Sequence, residues 1–164
     1  MSPKRPPFYG KFRGVVSDNR DPLMLGRIRA KVQEVFGGEE SGWALPSSPY
    51  AGNGVGLLLI PPTDAWVWIE FERGDPDRPI WSGCFWAQGE LPATPAVAEM
   101  KVLKTDAGTI TLNDLPGVGG VTIETSTGLK IEMTTLGIEI SNGSQKISIG
   151  LTGVSVNDGA LEVT

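Results

Sequence analysis

The sequence predicts an all-β protein in two parts. A small N-terminal five-stranded barrel comes first, and a C-terminal segment then winds with other copies of itself into an intertwined triple-stranded β-helix or β-prism. Three observations lead there. Glycine and proline are abundant, 22 and 13 of 164 residues, and no stretch carries a convincing amphipathic helical pattern. Past residue 104, seven short runs each place two apolar residues two positions apart, the period of a strand with one dry and one wet face. Those runs recur every seven to eleven residues, an internal repeat of the kind that builds stacked, quasi-linear structures.

The predicted organisation is a barrel over residues 1–87, a linker over 88–103 and a spike over 104–164. Residues 1–7 are Pro-rich and read as an irregular arm. A first strand runs from Phe8 to Ser17, with Phe8, Gly10, Phe12, Gly14 and Val16 on one face. Its glycines suit the close backbone approach of a coiled barrel strand. A second strand, residues 26–36, points Ile28, Ala30 and Val32 inward and Arg27, Arg29 and Lys31 outward, with a bulge expected near Gln33. Residues 37–56 form a long Gly/Ser/Pro loop holding Trp43 and Tyr50, and loops of that length are usually functional or covered by a partner. The apolar run Val55–Pro62 reads as a third strand. A fourth, residues 64–75, places Ala65, Val67, Ile69 and Phe71 on one face and Trp66, Trp68, Glu70 and Glu72 on the other. After a tight Gly-Asp-Pro turn, Pro79–Trp86 forms the fifth, with Cys84 as a small core residue. Five coiled strands with long loops fit an OB-type barrel.

The seven pairs of the spike are Ile110/Leu112, Val121/Ile123, Leu129/Ile131, Ile138/Ile140, Ile147/Ile149, Val154/Val156 and Leu161/Val163, and they are the predicted trimer core. A lone meandering ribbon of these strands would keep one apolar face wet and both edges unpaired. Winding three copies about one axis buries the aliphatics and pairs the edges. An ordinary antiparallel meander closed by the N-terminal domain is the competing architecture.

Charge and composition narrow the function. Residues 1–104 hold twelve basic and twelve acidic groups, whereas residues 105–164 hold Lys130 and Lys146 against seven acids, so the spike carries the whole net charge of −5. An acidic rod does not attract nucleic acid or anionic lipid. The neutral barrel makes Arg27, Arg29 and Lys31 a solvated or partner-facing surface rather than a nucleic-acid face. One cysteine and no histidine leave no internal disulfide framework and no Cys/His zinc site. No catalytic residue, metal or cofactor is expected. No apolar run reaches membrane-span length, and Met-Ser-Pro-Lys-Arg is not followed by the apolar stretch of a secretion signal, so synthesis in the cytoplasm is expected.

Two passages resemble a known family. D-P-L-M-L-G-R-I-R-A-K-V, residues 21–32, and I-P-P-T-D-A-W-V-W-I-E-F-E-R-G-D-P-D-R-P-I-W-S-G, residues 60–83, resemble the OB domain of the phage baseplate assembly protein V and VgrG-type spike family. The resemblance implies a non-enzymatic central spike, assembled as a homotrimer in the baseplate of a virion or other contractile particle, a phage tail or a tailocin among them. It implies docking to a separate hub protein through the barrel, a tip either bare or capped by a PAAR-type protein, and contact with the target envelope during piercing. Relatives that bind iron at the tip do so through histidines, which this sequence lacks. Trp66 and Trp68, pointing off the barrel interior, are candidates for a hub or subunit interface, together with Trp43 and Tyr50. A trimeric host-recognition fibre is the alternative function, and an OB-type nucleic-acid-binding protein a further one. The absence of Trp, Tyr, Phe and His from residues 105–164 weighs against the fibre.

Overall fold

The computed structural model describes residues 6–163 and divides the chain into two compact units, Met1–Gly89 and Glu90–Thr164. Most of the Pro-rich arm assigned to residues 1–7, and the side chain of the wet-face residue Glu162, fall outside the described residues. The regular elements of both units are almost all strands.

In the first unit the strands are β1 (Phe12–Asp18), β2 (Arg29–Lys31), β3 (Leu45–Pro46), the hairpin β4 (Ala51–Gly52) and β5 (Val55–Gly56), then β6 (Trp66–Phe71) and β7 (Pro79–Phe85). Five of them form one sheet in the order β2-β1-β6-β7-β3. A bridge outside the named strands then joins Ile28, beside β2, to Ala44, beside β3, through paired backbone hydrogen bonds of 3.2 and 2.8 Å. The two ends of the sheet order thus meet, which removes its open edges. Val16, Ile28, Ala30, Val32, Ala44, Val67, Ile69 and Phe71 fill the interior. Gly14 sits where a Cβ would press on Ile69 and Ala30, the close approach expected of a glycine on a coiled strand. Phe8 and Phe12 cover the Phe71 end with tilted and edge-on ring contacts at 5.5 to 6.1 Å.

Three local expectations are corrected. The segment read as a third strand, Val55–Pro62, pairs only at its first two residues, in the small β4–β5 hairpin. The fifth strand of the barrel is instead β3, paired parallel with β7 inside the stretch read as a loop. Where a bulge was expected at Gln33, a single helical turn forms, α1 (Gln33–Phe36), closed by Gly37 in the left-handed conformation (φ 63°). Val32, Val35 and Phe36 stand at i, i+3 and i+4, a helical spacing that brings Val35 and Phe36 onto the core. Finally, Cys84 is exposed rather than buried. A register shift between Val67 and Ile69 sets Cys84 across from Val67, yet leaves it open to solvent near the end of β7.

The loop between β1 and β2 is held by one carboxylate. Asp21 accepts hydrogen bonds from the backbone N–H groups of Leu23, Leu25 and Arg27 and forms a two-pronged pair with the Arg27 guanidinium, 2.6 Å at the shortest. The Arg27 hydrogen bond holds the Asp21 carboxyl well below the usual carboxylate range; burial works against this and the three backbone donors reinforce it. A folded-state value below the unfolded one means that the stabilisation is complete above about pH 4 and drains away as pH falls through the folded value. The gap in thermal midpoint between the wild type and Asp21→Asn is therefore expected to stay constant from about pH 5 to about pH 8 and to narrow below about pH 4. Scanning calorimetry across that range reads it.

The second unit is one antiparallel meander of eight strands: β8 (Met100–Lys104), β9 (Gly108–Asn113), β10 (Gly120–Thr125), β11 (Lys130–Thr134), β12 (Gly137–Ser141), β13 (Lys146–Gly150), β14 (Val154–Val156) and β15 (Leu161–Val163). Each strand pairs with its sequence neighbours, and no register shift interrupts the ladder from β8 to β15. Because side chains alternate faces with period two, an unbroken register keeps every apolar pair on the same side.

Candidate functional site

That register turns the sequence repeat into two apolar rows running across the sheet. One row reads Leu103, Ile110, Ile123, Ile131, Ile140, Ile147, Val156, Leu161. The other reads Leu112, Val121, Met133, Ile138, Ile149, Val154, Val163. Directly opposed aliphatics reinforce one another along each row. Yet the rows are not covered: Ile138 is 38 % exposed, Ile140 46 % and Leu161 60 %. Among the described residues, none of the second unit belongs to the chain's buried core. A groove of about 530 Å³ runs over this face, walled by Ile123, Leu129, Ile131, Ile140, Ile147 and Val156 among others. A continuous exposed apolar face of this kind is typical of a surface that another polypeptide buries.

The rows contain thirteen of the fourteen residues expected there. Leu129 precedes β11 and is drawn into the turn, where Thr125 N–H donates to its carbonyl and its own N–H donates to the Thr125 hydroxyl. Its side chain still borders the groove. Met133 and Leu103 stand in the rows and were missed. Met133 is detectable from its spacing of two from Ile131, and Leu103 lies within the segment assigned to the linker.

The opposite face is polar and internally compensated. Glu132 and Glu139 are directly opposed on β11 and β12, an unfavourable pairing of like charges. Lys130 reaches Glu132 at 2.7 Å, and Lys146 lies 3.7 Å from Glu139 and 2.7 Å from Asp158. Hydrogen bonding to Glu132 raises the Lys130 pKa, and hydrogen bonding to Asp158 raises that of Lys146. The two cations of residues 105–164 thus sit where carboxylates crowd, and the charged face is organised for water rather than for a ligand.

The aromatic candidates on the first unit fall in separate places. Trp66 and Trp68 are half-buried and lean on Phe85, with ring centroids 5.6 and 4.6 Å away, and Arg13 lies over Trp68 and Phe85. Trp43 is half-buried beneath the guanidinium groups of Arg27 and Arg29, at 5.6 and 5.0 Å. Arg27 is paired with Asp21 and Arg29 with Glu40, so two of the three basic residues of β2 and its approach are engaged within the chain. Tyr50, beside the β4–β5 hairpin, is exposed. Among the described residues no group of three His, Cys, Asp or Glu side chains is placed to hold a metal, and no helix is long and apolar enough to cross a membrane.

A closed β-barrel unit followed by a repeat sheet with an uncovered apolar face defines a structural component that assembles through its C-terminal half. Comparison with known families agrees with both halves. Residues 12–86 match the model of the type VI secretion system/phage-baseplate injector OB domain, and residues 100–162 match the phage baseplate V C-terminal trimerisation domain. The chain belongs to the phage baseplate V and VgrG spike family. It is 35 % identical over 92 residues to the type VI secretion system spike protein VgrG4b of Pseudomonas aeruginosa, a match covering 51 % of this chain and 11 % of that protein. The chain thus spans only a small part of that relative's length.

Proposed function

We propose that this chain is a non-enzymatic central spike of a contractile particle's baseplate. Three copies assemble through the apolar rows of β8–β15, the OB unit docks on a hub protein, and the acidic C-terminal rod leads into the target envelope. The observation that carries this reading is the pair of uncovered aliphatic rows in perfect register. Fourteen predicted core residues, Met133 and Leu103 gain a shared interior only when other copies supply the missing cover. Interchain burial along a hydrogen-bonded rod provides stiffness, which is what a piercing element needs, and requires no reactive group. A bare or protein-capped tip is compatible with the exposed apolar residues of β15.

The reading is tested in assembled particles. Baseplates made without this chain are expected to lack axial density at the tube's distal end by electron microscopy, and to regain it on complementation. Axial density that is unchanged without the chain contradicts the proposal.

A further inference from the structure

A second uncovered apolar surface lies on the first unit. The Asp21-anchored loop presents Leu23, Met24 and Leu25 to solvent, with Met24 91 % exposed. This is not a floppy loop. Asp21 fixes three of its backbone N–H groups, Met24 holds the left-handed conformation at φ 53°, and the Gly26 carbonyl accepts the Trp81 indole N–H. Non-glycine residues in that conformation are held there by their surroundings. Leu58, within the run Leu57–Ile60, lies beside it: its Cδ1 is 3.5 Å from where a Cβ on Gly26 would stand, and it is 73 % exposed.

The backbone of this second stretch is also unsatisfied. Leu57 is tied to Tyr50 and Ser48, and Pro61 to Asn19. Between those anchors no hydrogen bond reaches the backbone of Leu58, Leu59 or Ile60 among the described residues. A run with the composition of a strand, apolar side chains in water and free N–H and C=O groups is a strand without a partner. The surrounding sequence is unusual too, because residues 41–63 contain no charged side chain. Charged residues are depleted at the centres of interfaces, and permanent interfaces are the more apolar ones.

We infer that Leu23–Leu25 and Leu57–Ile60 form a contact between the barrel units of neighbouring copies, in which the 57–60 backbone gains its missing hydrogen bonds. This rests on the trimer reading. Trimerisation through β8–β15 tethers three barrel units by the fourteen residues between β7 and β8, no longer than about 50 Å when extended. Such a tether holds its modules at roughly millimolar effective concentration. A sister barrel is therefore present from the moment of assembly. In a closed ring of three the contact is heterologous, each copy giving one side of the patch and receiving the other.

Purified full-length protein carrying the photocrosslinker p-benzoyl-phenylalanine in place of Leu58 tests this, with the same probe in place of Ile138 as a separate reporter of the spike seam. Irradiation is expected to give covalent dimers from both positions. In unmodified protein the amides of Leu58–Ile60 are expected to exchange at least about tenfold more slowly than in the Leu58→Glu variant. Crosslinking from position 138 but not 58, with fast exchange at 58–60, overturns the barrel contact and leaves the trimer standing. Crosslinking from 58 but not 138 supports the contact and overturns the spike seam. Crosslinking from neither overturns both, and crosslinking from 58 only after a hub protein is added assigns the surface to the hub and overturns the proposal.

Discussion

Ile140→Asp is expected to leave the protein monomeric. Ile140 is flanked across the strands by Ile131 and Ile147, in the middle of one apolar row. In a trimer the substitution removes about 1.5–3 kcal/mol of burial per chain. It also places an unpaired carboxylate in a dry seam, at a cost of several kcal/mol per ion. Symmetry repeats both terms three times, so the penalty exceeds about 10 kcal/mol per trimer, more than an assembly at micromolar concentration withstands. The monomer itself loses little, because Ile140 is already 46 % exposed in the single chain. The control is Ser148→Ala on the polar face, expected to change stability by less than about 0.5 kcal/mol. Sedimentation velocity separates the outcomes. A trimer that survives Ile140→Asp would mean that the rows are not the seam.

The second large effect is expected from Gly137→Ala. Gly137 opens β12 at φ 147°, and a Cβ there would overlap the carbonyl oxygen of Ile149 on the neighbouring strand. The obstacle is backbone and cannot swing aside. The conformation alone costs a non-glycine residue about 1–3 kcal/mol per chain, and relieving the overlap separates β12 from β13 at Gly137–Gly150, the first rung of their ladder. Gly143 also has positive φ, at 91°, but has open space around the Cβ position. Gly143→Ala is therefore expected to cost the conformational term alone. Thermal unfolding of the two variants should rank Gly137→Ala clearly below Gly143→Ala. Equal midpoints would show that β12 and β13 do not pair as described.

The second unit was legible because its information is local. Strand period, turn glycine and repeat length all lie within a dozen residues, and each strand pairs with its sequence neighbour, so register follows from the pattern. Leu129 and Met133 mark the limit of that reading. Both lie two positions from Ile131, and only the Thr125–Leu129 turn decides which of them enters the strand. The barrel was less legible where its pairing is remote. β3 is two residues long, contains Pro46 and joins β7 some thirty-five residues onward, so nothing periodic announces it. Leu58–Ile60 has stronger strand composition and, among the described residues, no backbone hydrogen-bond partner. Composition measures readiness to pair, not the presence of a partner strand. Alternation singled out Trp66 and Trp68, and a long loop Trp43, but neither signal reveals that Phe85 and Arg13 cover the first two, or that Arg27 and Arg29 cover Trp43.

Light scattering coupled to size exclusion, on the full-length chain at micromolar concentration, tests most directly whether the aliphatic rows are shared between copies. The expected mass is three times 17.4 kDa, about 52 kDa, with no smaller species on dilution. A mass of 17.4 kDa, with the rows still exposed to solvent, would contradict it.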